Sequence, residues 1–200
     1  MTPSGLVIFS FDSGGLRLSE AGVPTLAKAS AFRLYVEASG APGQAGSVRS
    51  GVAITNSSET QNTITLEVTR LDGSSAGASQ TISLPPSGQI ARFLDEIFTL
   101  PSDFSGVLRV TSTADVGIVG LRLRINQREE IKMTTTPPAR EGDAAISADR
   151  YFPHIVDSSG WSTQFILFSG TAGQLSSGRL SFTGQSGEPL DLVSAASTAF

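Results

Sequence analysis

The sequence predicts an all-β protein of antiparallel sheets packed as a β-sandwich. Three observations predict it. Residues 63–71 alternate strictly, with Ile64, Leu66 and Val68 on one face and Thr65 and Glu67 on the other, the period-2 pattern of a half-buried strand. Asp72-Gly73 follows, a dipeptide that favours a tight hairpin. The composition agrees: only 16% of residues are charged and Ser, Thr and Gly are abundant, which suits short strands and turns better than helices.

In chain order, strand-like segments fall at 6–11, 15–19, 32–37, 48–55, 63–71, 80–84, 107–111, 116–125, 131–135, 151–156, 164–169 and 179–183. Gly, Pro, Ser, Asn and Asp clusters separate them, a pattern of sandwiches and barrels, of which a sandwich of the immunoglobulin or fibronectin kind is the expectation here. Pro153 argues against a strand at 151–156 or makes it an edge strand, because proline has no N–H for a ladder. One stretch differs. In 87–100, Ile90, Phe93, Leu94, Ile97 and Phe98 have helical spacing, with Ser87 as N-cap and Pro101 as stop. They predict one short helix across an open end of the sandwich, its apolar stripe plugging the core. In 116–125, Val119, Leu121 and Leu123 are expected inward and Arg122 and Arg124 outward.

The chain also resembles itself. Val52-Ala53-Ile54-Thr55 matches Ile166-Leu167-Phe168-Ser169, and Leu66, Val68, Thr69 and Gly73 match Leu180, Phe182, Thr183 and Gly187, all at a constant spacing of 114. Residues 32–37 match 152–157 at a spacing of 120, Gly5-Leu6-Val7 matches Gly117-Ile118-Val119, and Pro24 matches Pro138. The predicted organisation is the tail of a repeat unit at 1–30, a complete sandwich repeat at 31–140, and the head of a further repeat at 141–200. Tail and head each expose strand edges and apolar faces, including Leu6, Ile8, Phe165, Leu167, Leu180 and Phe182. Such edges are normally covered. Within one chain 1–30 completes the head, favoured by the high effective concentration of linked segments; between chains the result is a head-to-tail polymer.

The same residues carry a resemblance. The runs Gly51-Val52-Ala53-Ile54-Thr55-Asn56, Leu71-Asp72-Gly73, Leu84-Pro85-Pro86-Ser87-Gly88-Gln89, Arg92-Phe93-Leu94, Gly106-Val107-Leu108-Arg109-Val110 and Val119-Gly120-Leu121-Arg122 resemble a sandwich-type repeat of large secreted or cell-surface multidomain bacterial proteins. The resemblance implies an extracellular or cell-surface setting among other sandwich domains. It implies no defined activity.

Several function classes are disfavoured by the residues. A net charge of −4 gives no basic footprint for nucleic acid. Without cysteine there is neither a disulfide nor a thiolate metal site, and a single histidine, His154, excludes multi-histidine metal sites. No apolar run is long enough to span a membrane, and Met1-Thr2-Pro3-Ser4 does not open a signal peptide. Gly73-Ser74-Ser75-Ala76-Gly77 matches G-x-S-x-G, with His154 as a conceivable base for Ser75. The motif requires a strand-to-helix elbow, whereas here it falls in a hairpin. Asp12, Asp72, Asp143, Asp149 and Asp157 sit near turns, without the spacing of a calcium loop. Asn56-Ser57-Ser58 fits the N-glycosylation pattern and marks a surface turn.

The residues that remain as a binding site are Trp161 and Tyr151, aromatic side chains that can stack on a sugar ring. Covering a sheet edge or packing between repeats is the favoured role for Trp161, since tryptophan is largely buried on average. Arg122 and Arg124 form a short basic stripe of the kind common on solvated sheet faces. The expectation is a structural or adhesive module rather than an enzyme, with no cofactor. Its expected partners are other copies of itself or neighbouring sandwich domains; a carbohydrate-binding module is the competing class.

Overall fold

The structure, a computed structural model, describes residues 5–143, 149–157, 159–174 and 177–190. The chain divides into two compact units, Met1–Glu141 and Gly142–Phe200. The first contains ten antiparallel strands: β1 (Leu6–Ser13), β2 (Leu16–Pro24), β3 (Ala29–Ser39), β4 (Val48–Asn56), β5 (Asn62–Arg70), β6 (Ser75–Leu84), β7 (Gln89–Phe93), β8 (Phe104–Ile125), β9 (Ile131–Thr136) and β10 (Ala139–Arg140). The class is therefore all-β, and no α-helix occurs among the described residues.

β1 and β2 form a two-stranded sheet, and the other eight strands form one curled sheet. β8 organises the curl. Its first half lies between β3 and β5, and its second half between β4 and β9. The predicted pair of strands at 107–111 and 116–125 is thus one long strand crossing from one flank of the sheet to the other. The crossing at 112–115 is stitched by polar groups. Asn62 Oδ1 accepts from Thr113 Oγ1 (2.9 Å) and the Ala114 amide (3.2 Å), while its Nδ2 donates to the Ala114 carbonyl (2.9 Å).

One apolar core collects Phe32, Leu34 and Val36 from β3, Val52 and Ile54 from β4, and Ile64, Leu66 and Val68 from β5. It also takes Phe104, Leu108, Val110, Val116 and Ile118 from β8. The alternation in 63–71 puts Ile64, Leu66 and Val68 inside, as their pattern predicts. The second half of β8 departs from expectation. Val116 and Ile118 join the core, whereas Val119 is buried outside that cluster and Leu121 and Leu123 are half-buried. The inward face there runs through Gly120, where a Cβ would meet Leu34 Cδ2 at 2.8 Å and the Thr136 carbonyl at 2.9 Å. Arg122 shares that face at its rim and bonds Glu37 through Nε at 2.8 Å; Arg124 is exposed.

The predicted helix in 87–100 is replaced by strand β7, paired with β4, followed by a 3-10 turn at Leu94–Glu96. A strand running into a tight turn reproduces the helical spacing, because the turn rotates the chain so that Leu94 and Phe98 face inward. Both are core residues, with Ile90, Ile97 and Leu100 packed against them. Phe93 lies outside the cluster beneath Arg49, whose guanidinium sits 4.1 Å from the ring and also grips Asp95 at 2.9 and 3.0 Å.

Two buried asparagines brace the loops. Asn56 Nδ2 donates to the carbonyls of Thr60 (2.8 Å) and Pro85 (2.9 Å), and its Oδ1 accepts from the Ser58 amide (3.1 Å). The Asn56-Ser57-Ser58 pattern does open an exposed bend, with Ser57, Glu59 and Thr60 exposed, but the Asn56 side chain itself is wholly buried and its amide is committed to backbone. Asn62→Ala is expected to cost about 3 kcal/mol in urea unfolding, because it strands buried backbone groups. A loss under about 1 kcal/mol, the range of ordinary surface changes, would show that the crossing does not depend on it.

Candidate functional site

Trp161 and Tyr151 lie in the second unit and stand out from it, 69% and 84% exposed. Trp161 follows a turn made by Ser159 and Gly160 at positive φ (52° and 84°). Thr163 closes that turn, its Oγ1 accepting the Val156 amide at 3.0 Å and donating to the Val156 carbonyl at 2.8 Å. An aromatic trio lies in the same unit: Phe152 and Phe165 meet edge-to-face at 5.3 Å, Phe165 and Phe182 at 5.9 Å. The segments 151–156, 164–169 and 179–183 carry no regular strand; their one assigned bridge joins Thr183 to Pro189.

That bridge belongs to a turn already present in the first unit. After β5, the Arg70 amide donates to the Ser74 carbonyl at 2.8 Å and the Gly73 amide to the Arg70 carbonyl at 3.0 Å. In the second unit, the Gly184 amide donates to Glu188 at 2.8 Å and the Gly187 amide to Gly184 at 3.1 Å. Gly73 and Gly187 both have positive φ, 80° and 90°, a conformation that glycine adopts without strain. Even the polar pair is retained in exchanged form. Asp72 accepts the Ser74 amide, and Ser186 donates to Glu188. The Ser74 side chain, then its amide, holds the Asp72 carboxyl below the usual range, and the Ser186 side chain does the same for Glu188.

The N-terminal hairpin repeats a different part of the first unit. In β1–β2 the partners run from Leu6↔Pro24 to Phe11↔Ser19; in β8–β9 they run from Gly120↔Thr136 to Ile125↔Ile131. Moving β1 by 112 residues and β2 by 114 superimposes the two registers. Burial differs sharply. Ile118 and Val119 are 5% and 7% exposed, whereas their counterparts Leu6 and Val7 are 60% and 66% exposed. Among the described residues β1 has a single strand partner, β2, and β2 also touches β9: the Met133 amide donates to Ser19 Oγ at 2.7 Å, and Thr135 Oγ1 to the Gly22 carbonyl.

The remaining sequence candidates have local roles. Ser75 opens strand β6, its Oγ accepting the Gly77 amide at 3.0 Å, so G-x-S-x-G here is not a strand-to-helix elbow. His154 is exposed in the second unit. Asp12 is paired with Arg17 at 3.0 Å, Asp72 serves its turn, and no group of three or more metal-ligating side chains occurs among the described residues.

Sequence reading missed a charge cluster on the outer face of the sheet. Arg33 and Arg109 are directly opposed across β3 and β8, and Glu67 faces Arg109 from β5. Glu141 lies over both arginines, 3.2 Å from Arg33 Nε and 3.0 Å from Arg109 Nη2. Burial lowers the Arg33 pKa, while the bond to Glu141 raises that of Arg109. The cluster ties the end of the first unit onto its sheet. No sequence spacing marks it, because its members come from four separate segments.

No family model matches the chain, and no curated protein is similar to it. Among solved structures, the crystal structure of Thermotoga maritima 1070 aligns over 56% of this chain and 96% of its own, at 13% identity and a TM-score of 0.44. That likeness assigns neither a family nor a function.

Proposed function

We propose that this chain is a non-catalytic structural or adhesive β-sandwich module that works as one of a series of repeats, in an extracellular or cell-surface protein of bacterial type. The observation that carries this reading is the duplicated register. The turn at 184–188 copies that at 70–74 bond for bond and the N-terminal hairpin follows the β8–β9 register up to its bulge at Phe11/Asp12, and among the described residues neither brings together a group of metal-ligating side chains. Copies of a fold without a site serve mechanical or adhesive ends, in which repeats contact their neighbours. The resemblance noted in the sequence supports the setting. Electron microscopy of concentrated protein tests the reading: filaments or end-to-end oligomers are expected, and dispersed single particles at every concentration contradict it.

The exposure of Tyr151 and Trp161 favours a second reading, a carbohydrate-binding module, since a protruding aromatic ring can stack on a sugar. On a glycan array the structural reading predicts no retained glycan. Binding that is abolished by Trp161→Ala would replace the structural reading with this one.

A further inference from the structure

One flank of the large sheet ends at β6. Among the described residues β6 has one strand neighbour, β5, so its other edge is open. The Thr63 amide on β5 donates to Thr113 Oγ1 at 3.1 Å and so faces β8. In an antiparallel pair opposite residues exchange both main-chain bonds or neither, and the two cases alternate along the strand. Thr63, Thr65 and Glu67 therefore bond toward β8. The residues opposite them on β6, Ser83, Thr81 and Ser79, turn their N–H and C=O groups to the open edge. All three are exposed.

Edge strands are ordinarily guarded by shortness, charge, proline or a covering segment. β10 is two residues long and ends in Arg140, and β7 is five residues long and carries Arg92. β9 is lined by β2, with Ser19 Oγ on the Met133 amide. β6 runs from Ser75 to Leu84 without one charged residue or proline. Its register shift, opposite Val68/Thr69, lies at its start and leaves Ala78 to Leu84 regular.

We propose that two copies of this chain join through their β6 edges, antiparallel about a two-fold axis at Thr81. The proposal rests on the structural-module reading and names the surface by which copies join. In this register Thr81 pairs with Thr81 of the second copy, and Ser79 of each copy with Ser83 of the other. Each pair exchanges both main-chain bonds, so every outward N–H and C=O of the three residues is used. On the outer face hydroxyl meets hydroxyl, a favourable cross-strand match.

Self-complementarity selects a second copy as the occupant. An isologous contact needs a patch that matches itself, and serines stand at equal distances on both sides of Thr81. The open edge of β1 lacks this symmetry. The Thr25 amide donates to the Gly5 carbonyl, which turns the main chain of Leu6, Ile8 and Ser10 outward. A two-fold axis at Ile8 would set Leu6 against Ser10.

The inner side of the joint fits as well. A groove runs between β6 and β7, walled by Gln80 and Arg92 and floored by Ile82, Ile90 and Ile97, which pack half-buried on the core. The register sets Gln80 opposite Ile82 of the second copy and so brings an apolar side chain to the mouth of each groove. Main-chain bonds supply the affinity, as in strand addition. A single strand pair is a small interface and a two-fold contact closes on itself. The product is a weak pair that forms as concentration rises.

The chain contains no cysteine, so single exposed cysteines can be oxidised against a clean background. Thr81→Cys stands on the axis and is expected to link to itself roughly tenfold more than Ser79→Cys or Ser83→Cys does. Those two lie four residues from their own copies, about 13 Å along the strand, and are expected to link to each other when mixed. Thr81→Lys sets like charges opposite each other at an exposed site. It is expected to sediment as a monomer at concentrations where the wild type sediments faster. Self-linking of Ser79→Cys equal to that of Thr81→Cys, or a Thr81→Lys chain that associates like the wild type, overturns the pairing. If either is seen while the wild type associates, this edge fails and the structural-module reading stands. If the wild type stays monomeric at every concentration, its β6 edge serves another strand or none, and both fail.

Discussion

Glu141→Ala is expected to destabilise the first unit by about 3–5 kcal/mol, the cost of leaving a buried charge without its partner. The charge left behind is on Arg33, whose side chain is only 7% exposed and faces Arg109 across the ladder. With Glu141 removed, the buried Arg33 confronts Arg109 across the ladder, and Arg109 keeps only Glu67. Burial already lowers the Arg33 pKa, which shows the direction of that penalty. Guanidinium unfolding of the alanine variant measures it. The double variant Arg33→Met/Glu141→Leu should regain most of the loss, because apolar side chains of similar volume need no partner. A loss under about 1 kcal/mol for Glu141→Ala, the size of a surface ion pair, would mean that the cluster is solvated and does not fasten the unit.

Phe98→Ala is expected to cost about 3–5 kcal/mol, the range for emptying a core phenylalanine site. Phe93→Ala should cost only about 1 kcal/mol, made up of the cation–π contact with Arg49 and partial burial. The contrast follows from replacing the predicted helix by a strand and a turn. On a helix, Phe93 and Phe98 would lie on one stripe and cost alike. Here Phe98 is 7% exposed within the core cluster, and Phe93 lies outside it. Equal losses in thermal unfolding would restore the helical reading of 87–100.

Where the sequence was legible, one physical pattern acted alone. Ile64, Leu66 and Val68 face the core because a strand with one buried face must alternate, and the turn at Asp72-Gly73 needs positive φ. The register of 116–125 was not legible, because Gly120 occupies the inward face. Its missing side chain lets Leu34 and Thr136 close in, so the inward face carries less hydrophobicity than the outward one. Helical spacing in 87–100 misled for a related reason. Period alone cannot separate a helix from a strand that runs into a turn.

The sites divide in the same way. Trp161 and Tyr151 are as exposed as a binding role requires, yet exposure alone does not choose between a sugar and a neighbouring repeat. Asn56 looked like a surface acceptor because its two neighbours are serines. Only the fold shows that its amide is spent on the carbonyls of Thr60 and Pro85.

Sedimentation velocity of the wild-type chain over a wide concentration series tests the central claim, that this is a module that joins copies of itself. The account predicts a sedimentation coefficient that climbs with concentration. A single monomer boundary at every concentration would contradict it.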